Sequence, residues 1–505
     1  LSDQEIFRRN SLEELKSKGI DPYPAEEYPV TNYSVDIKKM FKESEPRWNV
    51  SVAGRMMRRR IMGKISFVEL QDSVGTIQLY ITSDDCCSDR NDDFYHTVFR
   101  KLLDIGDFIG VKGYVFSTKT GEVSIHVTSL KLLSKALRPI PIVKCKGDVI
   151  YDAFNDPELR YRQRYIDLIV NKGVKDIFFK RTKIFDSVRK FLNKKGYLEV
   201  DTPILQNIPG GATARPFVTH YNALGAPFYL RIANELYLKR LIIGGFDGVY
   251  EFSRNFRNEG IDKIHNPEFT AMEVYVSYKD YKWMMNFIEQ MIEFICLNVL
   301  DSLKIDVGGC IISFKSPYKR ITMIDAIKEN TGIDISGMDE NQLRNVCYQL
   351  NILEVGDKSI KTRKLVDEIF SKKCECNYIQ PTFIIDYPKD MSPLCKSHRD
   401  NIELTERFEL IVNGLELANA YSELNDPIEQ RNRFEDQLKF SGKYDDELFI
   451  DQDFLRALEY GMPPTSGMGI GMDRLVMLLT GNTSIQEVLL FPHMRSEKLK
   501  ESING

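Results

Sequence analysis

The chain has 505 residues, 43% hydrophobic and 28% charged, with 31 Gly and 20 Pro, which excludes a collagen, a coiled coil and wholesale disorder and exceeds what one hydrophobic core serves. Apolar runs such as Leu475 to Leu479 fall far short of the ~18 to 20 residues that span a bilayer, and the start carries no secretory pattern, so no membrane association is expected. With 69 basic and 73 acidic residues the net charge is −4, so any nucleic-acid contact must come from a local patch.

From Asp3 to Lys18, Ile6, Leu12 and Leu15 stand among charges at the spacing of a short amphipathic helix, which Gly19 and Asp21-Pro22-Tyr23-Pro24 end. Residues 1–46 thus read as a helix and linker. From about Trp48 to Leu133, short β-type runs alternate with glycines: Val50 to Val52, Ile65 to Leu70, Ile77 to Ile81, Phe108 to Phe116 and Val123 to Val127. That rhythm predicts a small β-barrel over 47–138. Between Arg47 and Lys135 lie 13 basic and 10 acidic residues, a local +3, with Arg55, Arg58, Arg59, Arg60 and Lys64 clustered. Arg138-Pro139-Ile140-Pro141 then predicts a stiff linker over 139–151. The remainder, 152–505, reads as one large α+β domain. In it, Ile177, Ile184, Val188 and Phe191 predict a long helix that ends at Lys194-Lys195-Gly196 and feeds an extended Tyr197-Leu198-Glu199-Val200 before Thr202-Pro203. Val249 to Ser253 and Thr270 to Tyr278 predict two strands flanking a polar loop, Arg254 to Asn266, too charged to be core.

Common nucleotide and metal signatures are absent. There is no G-x-x-x-x-G-K-[ST] loop, and Gly467-Met468-Gly469-Ile470-Gly471-Met472 starts like a dinucleotide fingerprint but ends on Met. No H-E-x-x-H or paired C-x-x-C exists. The nine cysteines, including Cys86, Cys87 and Cys374-Glu375-Cys376, lack framework spacing and fit a reducing, cytoplasmic setting.

Charge on predicted strands remains. Alternation over Thr270 to Tyr278 puts Met272, Val274 and Val276 on one face and Glu273, Tyr275 and Ser277 on the other; that polar face is either half solvated or the floor of a site. Asn413-Gly414 between Phe408 to Val412 and Leu415 to Ala418 signals a two-residue hairpin. Val412 then pairs with Leu415 and Ile411 with Glu416, so Glu409 and Glu416 share a face. They are either two solvated acids or the ligands of a hard cation such as Mg²⁺ carrying phosphates.

Three stretches make the chain recognisable: Gly196-Tyr197-Leu198-Glu199-Val200-Asp201-Thr202-Pro203; Phe256-Arg257-Asn258-Glu259-Gly260 with His265-Asn266-Pro267-Glu268-Phe269; and Gly467-Met468-Gly469-Ile470-Gly471-Met472-Asp473-Arg474-Leu475. In this order, with Leu415 to Asp426 between the last two, the sequence resembles the class II aminoacyl-tRNA synthetases and, within them, the lysyl-tRNA synthetases, over nearly its whole length. The resemblance implies an N-terminal OB-fold barrel that binds the anticodon, followed by a catalytic domain with an antiparallel sheet flanked by helices. It implies substrates ATP, L-lysine and tRNA(Lys), Mg²⁺ as cofactor, and a homodimer formed through the first motif.

By position, Arg257 would bridge the lysine carboxylate and α-phosphate, and Arg474 would sandwich adenine and touch the γ-phosphate. Asn258, Glu259, His265, Asn266, Phe269, Glu416, Leu417 and Gly471 would complete the ATP site, with Phe269 stacking on adenine and Glu409 and Glu416 holding Mg²⁺. Gly211, Glu235, Glu273, Tyr275, Asn419, Tyr421 and Glu423 would form the lysine pocket, with Glu235 on the α-amino group and Tyr275, Asn419 and Glu423 around the ε-ammonium. Arg55, Phe67, Glu69 and Gln78 would contact anticodon bases. Strict alternation after Glu416 would turn Asn419, Tyr421 and Glu423 away from Glu409 and Glu416, so an irregular residue is predicted between Leu417 and Asn419.

Rival readings are an aspartyl or asparaginyl synthetase, which would want basic residues where Tyr275 and Glu423 stand; a tRNA-independent lysyl transferase, for which the barrel would have no substrate; and a catalytically idle nucleic-acid-binding protein.

Overall fold

The Ser2 hydroxyl accepts from the Glu5 amide while the Ser2 N–H donates to the Glu5 carboxylate at 2.8 Å, a capping box that launches α1 (Asp3–Ser17). In the computed structural model, which describes residues 1–42, 47–85, 94–141, 144–146, 149–151, 154–212, 214–354, 362–440 and 450–495, the chain forms two units, Leu1–Asn155 and Asp156–Gly505. Cys86 and Cys87 lie outside the described residues, as do parts of the predicted linker. Between those parts, Lys144–Lys146 pairs antiparallel with Val149–Tyr151.

The first unit is the predicted barrel. Strands β1 (Asn49–Met62), β2 (Ile65–Gln71), β3 (Thr76–Thr82), β4 (Phe108–Ser117) and β5 (Val123–Ser134) close in the order β1-β2-β3-β5-β4. Val52, Met56, Val68, Leu70, Leu79, Ile81, Ile109 and Val127 alternate inward and fill it. The first strand runs ten residues past the predicted Val50 to Val52, because its distal half carries arginines outward, where periodicity registers no core. The basic cluster therefore splits. Arg58 and Arg60 are exposed, whereas Arg59 donates from Nη1 to the carbonyls of Phe99 and Leu103 at 2.6 and 2.8 Å, and so serves the fold.

In the second unit the long helix α2 (Val174–Lys194) ends where Gly196 takes φ 81 and feeds β6 (Leu198–Glu199). Downstream follow α3 (Glu235–Ile243), β7 (Gly248–Phe256), β8 (Glu268–Ser277), α4 (Tyr281–Leu300), β9 (Lys319–Thr322), β10 (Thr382–Pro388), β11 (Leu404–Val412), β12 (Leu415–Ser422), β13 (Thr465–Gly471) and α5 (Met472–Leu479). The sheet runs β9-β10-β11-β12-β13-β8-β7-β6, antiparallel except at its two ends.

One face of this sheet is core. Met272, Val274 and Val276 of β8, Phe408 and Leu410 of β11 and Met468 and Ile470 of β13 pack on Ile184 and Val188 of α2, Ile288 and Ile292 of α4, and Leu475 and Leu479 of α5. Each such burial is worth about 1.5–3 kcal/mol, and a one-residue slip of β8 would thrust Glu273 and Tyr275 into this layer. Register is thus fixed by apolar burial, and the polar residues are left on the opposite face. There the first motif is anchored as well: the buried Glu251 carboxylate accepts from the Thr202 hydroxyl at 2.7 Å, Arg231 at 2.6 Å and the Asn234 amide at 2.8 Å.

Asn413 (φ 53) and Gly414 (φ 69) are both left-handed, the type I′ turn that suits the strand twist. Val412 faces Leu415 and Ile411 faces Glu416, as predicted; then the register shifts and Leu410 faces Ala418. Leu417 is the extra residue, at the near end of the predicted stretch. Past this bulge Asn419 opposes Glu409 and Tyr421 opposes Arg407, which returns the polar side chains of both strands to one face.

Candidate active site

A cavity of roughly 560 Å³ opens on the polar face of the sheet. Its wall includes Glu273 and Tyr275 of β8, Glu416, Leu417, Asn419 and Tyr421 of β12, and Gly467, Gly469 and Gly471 of β13. Gly211, Glu235, Arg257, Glu259, His265, Asn266, Phe269 and Arg474 complete it. Most residues expected from sequence to hold ATP or lysine therefore meet in one chamber. Three are not among its lining residues: Asn258 is exposed, Glu409 is paired with Arg407 of the wall, and Glu423, 2% exposed, lies behind Gly467.

One end of the chamber is acidic. The Tyr275 hydroxyl donates to Glu273 Oε2 at 2.9 Å, and the Tyr421 hydroxyl to Glu235 Oε1 at 2.5 Å. Burial, then repulsion from Glu235, pushes the Glu273 carboxyl up to about 8. Burial likewise holds Glu423 well above the usual carboxylate range, opposed by Lys239. The Glu423 Oε2 atom lies 2.5 Å from Lys239 Nζ, an ion pair without hydrogen-bond angles, and Oε1 has no hydrogen-bond partner among the described residues. Gly467 makes room for this arrangement: a Cβ there would stand 2.1 Å from Glu423 Oε1 and 2.4 Å from the Tyr275 ring.

The other end is cationic. Arg257 sits with its guanidinium 5.0 Å from the Phe269 ring centroid, its Nε buried without a hydrogen-bond partner among the described residues. Burial lowers its pKa, against attraction from Glu416, Glu259 and Glu273. Arg474 donates from Nη1 to the Glu416 carbonyl at 2.6 Å and lies 3.7 Å from its carboxylate, while Nη2 is 3.2 Å from His265 Nε2. His265 Nδ1 in turn meets Asp262 at 2.8 Å. The Asn266 amide donates to the Glu268 carbonyl at 2.7 Å, which fixes the loop.

Glu409 and Glu416 share a face, and burial followed by repulsion from Glu416 pushes Glu409 up to about 7. Mutual repulsion between two oxygen donors fits a hard cation shared with phosphate oxygens. Among the described residues no group of three or more His, Cys, Asp or Glu is arranged to hold a metal, so the pair suits a cation that arrives with a nucleotide.

Sequence reasoning missed two cations here. Arg407 donates to Glu409 Oε1 at 2.6 Å and to Asn419 Oδ1 at 3.2 Å, tying the carboxylate pair to the acidic pocket. Lys239 is 0% exposed between Glu235 and Glu423. A Glu-to-Lys spacing of four on α3 was the available signal, and it ordinarily marks a surface pair.

On the barrel, Arg55, Phe67, Glu69 and Gln78 stand on the outward face. Arg55 donates to the Gly106 carbonyl at 2.9 Å and covers the Phe108 ring at 4.2 Å. Glu69 pairs across from Gln78, and Phe67 from Tyr80, with their ring centroids 5.5 Å apart. Tyr80 continues to His126 at 5.0 Å, so half-buried rings form a platform.

Residues 156–495 match the family described as tRNA synthetases class II (D, K and N), and residues 50–133 match the OB-fold nucleic acid binding domain. The chain is 76% identical over 500 residues to the lysine–tRNA ligase of Azobacteroides pseudotrichonymphae genomovar. CFP2, covering 99% of this chain and 100% of that one. It is 67% identical over 502 residues to the lysine–tRNA ligase of Porphyromonas gingivalis (strain ATCC BAA-308 / W83), covering 99% and 86%. To that of Christiangramia forsetii it is 61% identical over 500 residues, covering 99% and 87%.

Proposed function

We infer the function from one premise: this chain belongs to the class II tRNA synthetases (D, K and N). Its activity is that of a lysine–tRNA ligase, in which L-lysine is activated by ATP to lysyl-adenylate and transferred to the 3′ end of tRNA. The observation on this chain's own residues that supports lysine is the acidic end of the cavity, where Glu235, Glu273 and Glu423 converge opposite Arg257. An aspartate side chain would meet repulsion there and a neutral asparagine side chain would leave the buried acids without a counter-charge, which disfavours the aspartyl and asparaginyl alternatives.

The attacking carboxylate of lysine is ionised at neutral pH, so activation needs no general base. Positioning and charge stabilisation do the chemistry. Arg257 would hold that carboxylate against the α-phosphate and counter the charge that develops there. Phe269 and Arg474 would clasp adenine from two sides, with Glu259, Asn266, Leu417 and Gly471 around it and His265 toward the terminal phosphates; Asn258, exposed, would close on the nucleotide only from outside the wall. Glu409 and Glu416 would hold Mg²⁺, which supplies neutralisation of the triphosphate. Glu235 and Tyr421 would orient the α-ammonium beside Gly211, and Tyr275, Asn419 and Glu423 the ε-ammonium. Exchange of pyrophosphate into ATP, measured with each of the twenty amino acids, is expected to depend on lysine alone; exchange driven by aspartate or asparagine, or none, would overturn this reading.

We assign residues 47–138 to anticodon binding, 139–151 to a linker and 152–505 to catalysis, with Phe67 as the stacking platform and Arg55, Glu69 and Gln78 reading base edges. Stacking contributes about 1–3 kcal/mol per base. Phe67→Ala is therefore expected to raise the KM for tRNA about 5- to 150-fold in aminoacylation, at ~1.4 kcal/mol per tenfold, and to leave lysine-dependent pyrophosphate exchange unchanged. Leu198, Ile204, Leu205 and Val218 are 47%, 43%, 51% and 57% exposed around the first motif, an apolar surface suited to a second copy of the chain, which supports a homodimer. No helix among the described residues is long and apolar enough to cross a membrane. Since charged tRNA is consumed by translation, we assign the cytoplasm as the place of action.

A further inference from the structure

Lys239 belongs to none of the roles above, yet it is the most deeply buried cation next to the amino-acid pocket. It rises from α3, one turn after Glu235, and its Nζ lies 2.5 Å from Glu235 Oε1 and 2.5 Å from Glu423 Oε2. The Tyr421 and Phe454 rings stand 5.5 and 5.9 Å from it. Its side chain is 0% exposed and does not line the cavity, so it approaches both carboxylates from beneath. On the cavity side the fully buried Glu423 keeps Oε1 without a hydrogen-bond partner among the described residues, at the spot where a Cβ on Gly467 would come within 2.1 Å. A buried carboxylate oxygen left unsatisfied behind a glycine in the wall is costly unless a ligand completes it.

We propose that Lys239 is a positioning residue for amino-acid selection: it bridges Glu235 and Glu423 from below, favours the charged form of Glu423 against its burial, and occupies one oxygen of Glu423 so that the other is presented to a side-chain ammonium. The inference rests on the lysine reading of the pocket and adds to it. Glu423 is faced by Glu235 and Lys239 from α3, Glu273 and Tyr275 from β8, Tyr421 at the end of β12, and Cys395 across an isolated bridge. Of these only Lys239 carries positive charge, so removing it leaves acids and neutral groups around a buried carboxyl, which then holds its proton to higher pH. A protonated Glu423 must release that proton before it accepts an ammonium. The side-chain ammonium of free lysine persists to about pH 10, and its α-ammonium, which titrates lower, does so equally for every variant, so the slope is read from the ratio of each variant's KM to that of the unsubstituted chain.

The test compares the unsubstituted chain with Lys239→Met and Lys239→Arg in pyrophosphate exchange between pH 6.5 and 9. Lys239→Met is expected to raise the KM for lysine at pH 7 by about tenfold or more, the excess shrinking by up to tenfold per pH unit as pH rises, with the KM for ATP held within about twofold; Lys239→Arg restores most of the affinity because it keeps the charge. A penalty independent of pH would mark Lys239 as structural only and overturn the proposal, as would an unchanged KM. ATP affinity and circular dichroism report whether Lys239→Met folds, and Lys239→Gln, smaller in its polarity change, carries the same pH readout if it does not. Absence of lysine-dependent exchange in the unsubstituted chain would overturn the activity assigned above instead, so the two failures are distinguishable.

Discussion

Glu423→Gln is expected to abolish most lysine use while leaving ATP binding intact. The substitution removes the carboxylate that faces both Lys239 and the pocket, at a site 2% exposed. Breaking a buried charge pair by neutralising one partner costs ~3–5 kcal/mol, which at ~1.4 kcal/mol per tenfold is on the order of several hundred-fold or more in lysine affinity. Two cations lose by it, the resident Lys239 and the incoming ε-ammonium, so the thermal midpoint is expected to fall as well. Lysine and ATP affinities measured separately, by KM in pyrophosphate exchange and by titration with a non-hydrolysable ATP analogue, decide the matter. Equal losses for the two ligands would mean that Glu423 supports the whole cavity rather than the amino-acid pocket.

That residue also shows how far the sequence carried. The apolar alternation of β8 forced Glu273 and Tyr275 to one face, and Asn413-Gly414 set the hairpin register, because burial and turn geometry are local rules. The same rules required an irregular residue after Glu416, and Leu417 supplies it. Without that bulge the acids of β11 and the polar side chains of β12 would lie on opposite faces. What stayed hidden was whatever depends on depth. The Glu235–Lys239 spacing reads as a solvated helix pair and is in fact buried under the pocket. Arg407 sits two residues before Glu409 on the same strand face, and only burial marks it as that carboxylate's partner. In the barrel, Arg59 carries the same sequence signal as Arg58 and Arg60, yet it turns to the carbonyls of Phe99 and Leu103. Phe67 owed its outward role to the resemblance alone; the alternation of β2 sends Val68 and Leu70 inward and leaves Phe67 on the outer face with Tyr80.

Arg257→Ala is expected to lower kcat for lysine-dependent pyrophosphate exchange by about a thousandfold, within the range for removing a fixed donor at a developing charge. Among the described residues the side chain is held by its loop rather than by ion pairs: its backbone amide donates to the Pro267 carbonyl at 2.8 Å, while the guanidinium rests near the Phe269 ring and leaves Nε buried without a hydrogen-bond partner. A cation kept in that condition costs stability, which Glu416, Glu259 and Glu273 offset in part and an anion engaging the fork would offset further. Two consequences separate this account from a structural one. First, Arg257→Lys should recover little activity, because a point charge cannot make the paired contacts of a guanidinium. Second, the thermal midpoint of Arg257→Ala should be unchanged or raised, since the substitution deletes an unsatisfied buried donor. A variant that loses kcat and thermal stability together would show that Arg257 braces the loop instead of the reacting phosphorus.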